Sequence, residues 1–424
     1  MADRIGLSTP SMHGEELKFI EEAFERNWIA PLGFNCDALE EEITAYLEGK
    51  GTGSFNASDA RNDLKFHAPA EALVKGDGTL HGLALSSGTS AIHLALKLAG
   101  VKKGDCVMCS DMTFAATVNP VSYEGANQIF IDSERETWNM DPKALELAFR
   151  VFPQAKAVVV AHLYGTPAKL DEIREICDRH GAVLIEDAAE SLSATFNGKQ
   201  TGTFGDYGII SFNGNKIITT SGGGMLITHD KESRDKAFFW STQAREPFPW
   251  YQHEEIGYNY RMSNIAAGIG RGQLLHLEEH RDLKEKVYRR YEEGLKGLPV
   301  SMNPYLSCSR PNFWLSCMLI DEGCSVKPMD IIKALGEENI EARPIWKPMH
   351  LQPVFALKPF VTADGIWMDA TAVSKACGME PPADDEKPDA VDEDIFERGL
   401  CLPSDIKMTE EQQNRVVEAV KRCF

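Results

Sequence analysis

Seven short apolar runs punctuate the first two-thirds of this chain: Leu83 to Leu85, Asp105 to Ser110, Gln128 to Asp132, Lys156 to His162, Ala182 to Asp187, Gly208 to Phe212 and Met225 to Thr228. Helical segments separate several of them. Ile92, Leu96 and Ala99 share one face of a helix that opens after Ser86-Ser87-Gly88-Thr89 and stops at Gly100, and the helix over Leu170 to His180 stops at Gly181. Near-continuous apolar strands alternating with helices predict a mainly parallel sheet covered by helices on both faces. Such a sheet places its ligand beyond the carboxyl ends of its strands.

Two further helices are expected upstream, from Leu17, Ile20 and Phe24 within Glu15 to Arg26 and from Leu39, Ile43 and Leu47 within Ala38 to Leu47. After Arg261 the character changes. Ile265 to Lys296 is helical in period and heavily charged, and Asn312 to Ile320 with Pro328 to Asn339 reads as a strand and a helix of a smaller unit. The chain therefore divides into a large α/β domain over 1–261 and a smaller carboxyl-terminal α+β domain over 262–424. Two segments fit neither pattern. Residues 50–82 are polar and glycine-containing, and within 360–397 the stretch from Ala383 to Glu397 holds eight acids against the single base Lys387, so both are expected to be exposed loop insertions.

An excess of 64 acidic over 44 basic residues, a net charge of −20, argues against nucleic acid or anionic membrane as a partner. The ten cysteines show no disulfide spacing. Cys106 and Cys109 form one CxxC, but they lie in an apolar run without a second pair and are expected to be buried strand residues, so no metal site is expected. No basic segment followed by an apolar one opens the chain and no run reaches membrane-spanning length, which makes the cytoplasm the expected location.

The chemistry concentrates at strand ends. Lys216 lies in Ser211-Phe212-Asn213-Gly214-Asn215-Lys216, ahead of a Thr-Thr-Ser-Gly-Gly-Gly turn, and 29 positions (216 − 187) after Asp187 in Ile185-Glu186-Asp187-Ala188-Ala189-Glu190. A lysine placed between a strand and a glycine turn, with an acid at the mouth of an earlier buried strand, is what pyridoxal phosphate requires: the amine forms a Schiff base and the carboxylate holds the pyridinium N–H. A structural salt bridge or helix cap is the alternative reading of Asp187, and the spacing to Lys216 favours the cofactor role. Ser87-Gly88-Thr89 opens a helix directly after a strand, where backbone N–H groups and a hydroxyl suit a phosphate, although a simple N-cap explains that tripeptide as well. Ser211 ends another strand and offers a second phosphate ligand. Glu190 is placed to meet the ring's phenolic oxygen or a substrate group, or solvent. Phe114 follows a strand and suits stacking on a flat ring, or the core.

The stretches Trp28 to Gly33, Ser86 to Ala91, Asp111 to Phe114, Glu186 to Glu190, Ser211 to Met225, Gly257 to Met262 and Gly399 to Ser404 resemble, in order and over nearly the whole chain, those of the DegT/StrS-type nucleotide-sugar aminotransferases. The resemblance implies fold type I of the pyridoxal phosphate enzymes, with a mainly parallel seven-stranded sheet. It further implies Lys216 as the Schiff-base lysine, Asp187 as the pyridinium partner, Phe114 as the stacking aromatic, and Gly88, Thr89 and Ser211 as phosphate contacts, with Glu190 and Asn213 beside the cofactor. Asn259 would reach the cofactor phosphate of a neighbouring subunit, making a homodimer with shared sites the active unit. Trp28, Tyr260, Arg261, Arg343 and His350 would face the substrates, the guanidinium forks suiting the donor carboxylate or the sugar diphosphate.

Within that family the motif wording is most similar to enzymes that aminate C-4 of UDP-linked 4-keto-6-deoxy amino sugars with L-glutamate as donor. Amination at C-3 stays open on the residues alone. A dehydratase is disfavoured because the relatives of that kind replace the lysine by histidine. A non-catalytic pyridoxal phosphate-binding regulator is disfavoured by the acidic charge and by the lack of a basic helix-turn-helix.

Overall fold

The computed structural model describes residues 3–49, 79–367 and 389–424. Two amino-terminal helices, α1 (Glu15–Glu25) and α2 (Phe34–Leu47), precede a run of alternating strands and helices. That run is β1 (His81–Leu85), α3 (Gly88–Leu98), β2 (Cys106–Ser110), α4 (Asn119–Tyr123), β3 (Asn127–Ile131), α5 (Pro142–Val151), β4 (Ala157–Ala161), α6 (Leu170–His180) and β5 (Val183–Asp187). A short ribbon of β6 (Thr195–Phe196) and β7 (Lys199–Gln200) leads to β8 (Tyr207–Ser211), β9 (Gly224–Thr228) and α7 (Lys231–Ser241).

Seven of these strands form the expected sheet in the order β1, β9, β8, β5, β4, β2, β3. It is parallel except at β9, which runs antiparallel to both β1 and β8. Alternation along a central strand places Val107 and Cys109 in the core beneath α3, and Met108 in the opposite core beneath α5 and α6. Both Cys106 and Cys109 are buried in β2, as their apolar setting predicts.

The remainder begins with α8 (Asn264–Leu274) and α9 (Leu277–Gly294), so the single charged helix expected over 265–296 is two. A four-stranded sheet follows, built from β10 (Val300–Met302), β12 (Ser316–Ile320), β13 (Arg343–Pro344) and β16 (Gly399–Leu402) in the order β10, β12, β16, β13. Strand β11 (Ser309–Arg310) pairs with β6. Helices α9, α10 (Pro328–Glu337) and α12 (Glu410–Lys421) bury Val287, Ile331, Leu335, Val416 and Val420 against this smaller sheet. None of the described helices is long and apolar enough to cross a membrane.

Three boundaries differ from the sequence expectation. Ile5 bridges to Ile340 and packs in the core of the smaller sheet, so the amino terminus crosses the line at 262. In the other direction β14 (Phe360–Val361) pairs in parallel with β3, and β15 (Ile366–Trp367) pairs with β14, which extends the large sheet to nine strands. The start of the supposed insertion at 360–397 is therefore strand, because Phe360 and Val361 are apolar and fully buried. Its end is α11 (Val391–Arg398), whose Asp392 and Ile395 are buried beneath an otherwise acidic surface, and not an exposed loop. Likewise His81 and Gly82 already belong to β1 and Leu80 is buried in the core, while residues 50–78 of the expected 50–82 insertion and residues 368–388 lie outside the described residues.

Candidate active site

Strands β5 and β8 are parallel neighbours with Asp187 level with Ile209, so the last residue of β5 faces the loop that leaves β8 at Ser211. That loop carries Lys216 and returns at Gly224. It is held locally: the Lys216 N–H donates to the Asn213 carbonyl at 3.0 Å and the Thr220 N–H to the Phe212 carbonyl at 2.9 Å. It is also held from a distance, because the Trp314 indole N–H donates to the Asn215 carbonyl at 2.7 Å. The Lys216 ammonium lies 3.4 Å from Glu190 Oε1 and 4.1 Å from the centre of the Trp314 ring.

Glu190 is fixed by the Tyr164 N–H, which donates to its second oxygen at 2.8 Å. Burial pushes the Glu190 carboxyl up to about 7, against the pull of the Lys216 charge and the Tyr164 N–H and with the help of the Asp187 charge. Asp187 is buried, and the Thr117 hydroxyl donates to its Oδ2 at 2.6 Å while the Ala189 N–H donates to Oδ1 at 3.2 Å.

At the start of α3, Ser87 is the N-cap and forms a capping box with Ser90. The N–H groups of Gly88 and Thr89 find no acceptor among the described residues and sit at the positive end of the helix dipole. Close backbone approach makes this corner glycine-dependent. A Cβ on Gly88 would lie 3.3 Å from Ser211 Cβ, and one on Gly224 would lie 2.3 Å from the Gly88 nitrogen. Both predicted phosphate ligands, the α3 terminus and Ser211, thus meet at one point. Asn213 lies beside them, its N–H donating to Ser211 Oγ at 3.3 Å.

Phe114 is exposed and its ring centre is 5.5 Å from that of Trp346, which in turn is 5.1 Å from Tyr164. Asn259 is exposed, and its Oδ1 lies 3.5 Å from Gln243 Nε2. Tyr260 stacks on Tyr258 at 4.7 Å, with its hydroxyl 3.2 Å from His93 Nδ1. Trp28 and Arg343 are exposed, bonded to the Leu32 carbonyl and to Glu341 respectively.

Two expected substrate residues are committed elsewhere. The Arg261 guanidinium is buried and donates to Glu40 Oε1 and to the Ala84 carbonyl, both at 2.8 Å, so it ties β1 to α2 and presents no charge to a ligand. His350 is buried between Asp111 Oδ2 at 2.5 Å and Glu393 Oε1 at 2.7 Å, with both ring nitrogens occupied and its face stacked on Phe360. Burial works against its charge, yet the two carboxylates prevail and raise its pKa.

Several residues of the site escape a sequence reading. Trp314, Thr117 and Tyr164 each act through partners distant in the chain, and none sits in a distinctive local pattern. Asn312 anchors the tryptophan: its amide donates to the carbonyls of Glu190 and Leu192 and its oxygen accepts the Trp314 N–H at 2.9 Å.

An amine, an acid at an adjacent strand end and an anion-binding helix terminus with unpaired N–H groups fit pyridoxal phosphate, which the fold holds at the carboxyl edge of its sheet. Fold and site define a pyridoxal phosphate-dependent aminotransferase with a mainly parallel α/β sheet. The profile of the DegT/DnrJ/EryC1/StrS aminotransferase family matches residues 65–377, and the chain belongs to that family. It is 44% identical over 429 residues to EpsN of Bacillus subtilis (strain 168), which bears the name of a pyridoxal phosphate-dependent aminotransferase, covering 100% of this chain and 97% of that one. It is 32% identical to the GDP-perosamine synthase of Caulobacter vibrioides over 99% of this chain and 98% of the other. The crystal structure of the aminotransferase TlmJ from Streptoalloteichus hindustanus superposes with a TM-score of 0.78 over 99% of both chains at 22% identity, a likeness of fold.

Proposed function

We propose that this enzyme transfers the amino group of L-glutamate to the C-4 keto group of a nucleotide-linked 4-keto-6-deoxy sugar, supplying a 4-amino sugar for surface polysaccharide. The observation that carries this reading is the Lys216 amine, enclosed by Glu190 and Trp314 beside the strand end that bears Asp187. The relation to a GDP-perosamine synthase along the whole chain supports a nucleotide sugar as the acceptor.

When bound, the cofactor supplies an electron sink for cleavage of a C–H bond next to nitrogen. Lys216 would anchor it and, once its amine is released, carry a proton between donor, acceptor and the reacting carbon. Asp187, oriented by Thr117 and by the Ala189 N–H, would hold the ring nitrogen protonated. Glu190 keeps its proton to near neutral pH and is positioned to share it with an oxygen near the Lys216 amine. Gly88, Thr89, Ser211 and Asn213 would take the phosphate, Phe114 one face of the ring. Asn259, exposed on its loop, would complete the site of a second subunit, and Trp28, Tyr260 and Arg343 would line the sugar entrance. The working form is a homodimer in the cytoplasm.

The experiment uses purified enzyme loaded with cofactor. Glutamate alone is expected to remove the long-wavelength cofactor absorbance and release one 2-oxoglutarate per protomer, and a keto sugar to restore it. A panel of UDP-, dTDP- and GDP-linked 3-keto and 4-keto sugars, with the amine located by NMR, identifies the acceptor. Absorbance unchanged by glutamate would overturn the transaminase reading, and a 3-amino product would move the reaction to C-3.

A further inference from the structure

A lysine lies where the inner face of α9 calls for an apolar residue. Leu277, His280, Lys284, Val287 and Tyr291 recur at spacings of three and four and are all buried. The Lys284 amine ends on three neutral oxygens: the Ser404 carbonyl at 2.6 Å, the Trp314 carbonyl at 3.1 Å and the Ser8 hydroxyl at 3.0 Å. Burial pushes this amine down to about 7, against the attraction of Asp405. Its partners satisfy it in either form. Charged, it donates to all three; neutral, it donates to the two carbonyls and accepts from the Ser8 hydroxyl. The grip on the carbonyls is therefore independent of its charge.

That grip secures the turn carrying Trp314. Phe313 is buried at φ 53°, in the left-handed region that crowds a Cβ and that bulky residues rarely adopt. Such a conformation persists where its surroundings over-determine it. Here the backbone of Trp314 is pinned at both ends: its N–H donates to Asn312 Oδ1 at 2.9 Å, and its carbonyl accepts from Lys284. The indole of the same residue lies under the Lys216 ammonium and holds the Asn215 carbonyl. Ser404 joins the arrangement from the other side. Its N–H donates to the Leu7 carbonyl at 2.6 Å and its hydroxyl accepts from the Ser316 N–H at 2.8 Å, so the amino-terminal segment and the Gly399 to Ser404 motif close on the Lys284 amine.

We propose that Lys284 is a positioning residue for the Lys216 amine: by holding the Trp314 carbonyl it sets the indole on which Lys216 and its loop rest. The consequence for the cofactor rests on the reading of Lys216 as the reacting amine; the geometric claim does not. Nothing in the chain order marks Lys284, which stands between Asp282 and Lys286 in a helix rich in charge.

The test compares wild type with Lys284→Met, which keeps a stem of similar length without donors. In cofactor-free protein carrying isotope-labelled tryptophan, the Trp314 indole N–H is assigned by its absence in Trp314→Phe. It should exchange about three- to tenfold faster in Lys284→Met, the equivalent of one weakened hydrogen bond. Pyridoxal phosphate titrations, read by borohydride trapping and mapping of the Lys216 peptide, should show roughly tenfold weaker binding in the same variant. Added to Trp314→Phe, which already lacks the indole N–H, Lys284→Met should cost less than about threefold more. Should Lys284→Met misfold, Lys284→Gln, with amide donors on a stem one carbon shorter, should move both readings in the same direction. Indole exchange as in wild type in either folded variant, or an equal loss of affinity with and without Trp314→Phe, overturns the proposal and leaves Lys284 a purely structural lysine. The exchange measurement involves neither cofactor nor glutamate, so its failure is distinct from failure of the transaminase reading.

Discussion

The ammonium of Lys216 rests on the face of Trp314, whose own indole N–H holds the carbonyl of the preceding residue, Asn215. One side chain therefore fixes both the loop and the amine it carries. The two contributions can be separated. Trp314→Phe keeps an aromatic face but loses the N–H, which should cost about 1 kcal/mol of stability and weaken cofactor binding several-fold. Trp314→Ala removes a fully buried ring and should cost roughly 3–5 kcal/mol. Urea unfolding and cofactor titration on both variants give the comparison. Equal effects would deny the ring any role of its own.

Glu190 gives the apo fold a pH signature. Its carboxyl titrates near 4.5 in the unfolded chain and near 7 in the fold, so between those values the native state binds more protons than the unfolded one. Stability contributed by the protonated group is complete below 4.5 and is lost as pH rises through 7. In Glu190→Gln that dependence is absent. The stability difference between wild type and variant should shift against wild type by on the order of 3 kcal/mol over this window. Unfolding midpoints of cofactor-free protein at pH 4.5, 5.5, 6.5 and 7.5 measure it, and parallel curves would contradict the raised value.

Much of this site is legible in the sequence because its parts lie within contiguous motifs at strand ends. Lys216, Asp187 and the turn at Gly88 each follow or precede an apolar run that had to be a buried strand, and topology then brings β5, β8 and α3 together. Residues whose role depends on a distant partner were not legible. Thr117 meets Asp187 across 70 positions, and Trp314 meets Asn215 across 99. Charge was the least reliable guide. Arg261 and His350 have the chemistry of anion ligands, yet Glu40, Asp111 and Glu393 satisfy them inside the fold. Short elements were misread for a related reason: two-residue strands such as Phe360–Val361 have no period to detect, and α11 hides one buried edge under an acidic surface.

Thr117 is predicted to act as the orienting partner of Asp187. Thr117→Val keeps the shape and removes the donor, leaving the carboxylate with the Ala189 N–H alone. A hydrogen bond to a charged acceptor is worth roughly 1.5–3 kcal/mol, so apo stability should fall by about that amount and cofactor affinity with it. Thr117→Ser restores the hydroxyl and should recover both. A valine variant that binds cofactor like wild type would remove Thr117 from the site.

Gly224 supplies the strictest steric condition, since an added methyl would lie 2.3 Å from the Gly88 nitrogen and 2.4 Å from the Ser87 carbonyl carbon. These are backbone atoms, so relief requires moving the first turn of α3 away from β9. That turn holds the unpaired N–H groups proposed to take the phosphate, and overpacking of this kind costs about 1–3 kcal/mol or more. Gly224→Ala is therefore expected to lose stability and, beyond that loss, to weaken cofactor binding by at least about tenfold, the equivalent of one phosphate hydrogen bond. Gly222→Ala is the internal control: nothing lies within 4 Å of its added carbon, and its stability should stay within about 1 kcal/mol of wild type with cofactor binding unchanged. Paired titrations of inorganic phosphate and of pyridoxal phosphate against both variants locate the defect. If Gly224→Ala binds phosphate as tightly as Gly222→Ala, the anion is held somewhere other than the α3 terminus.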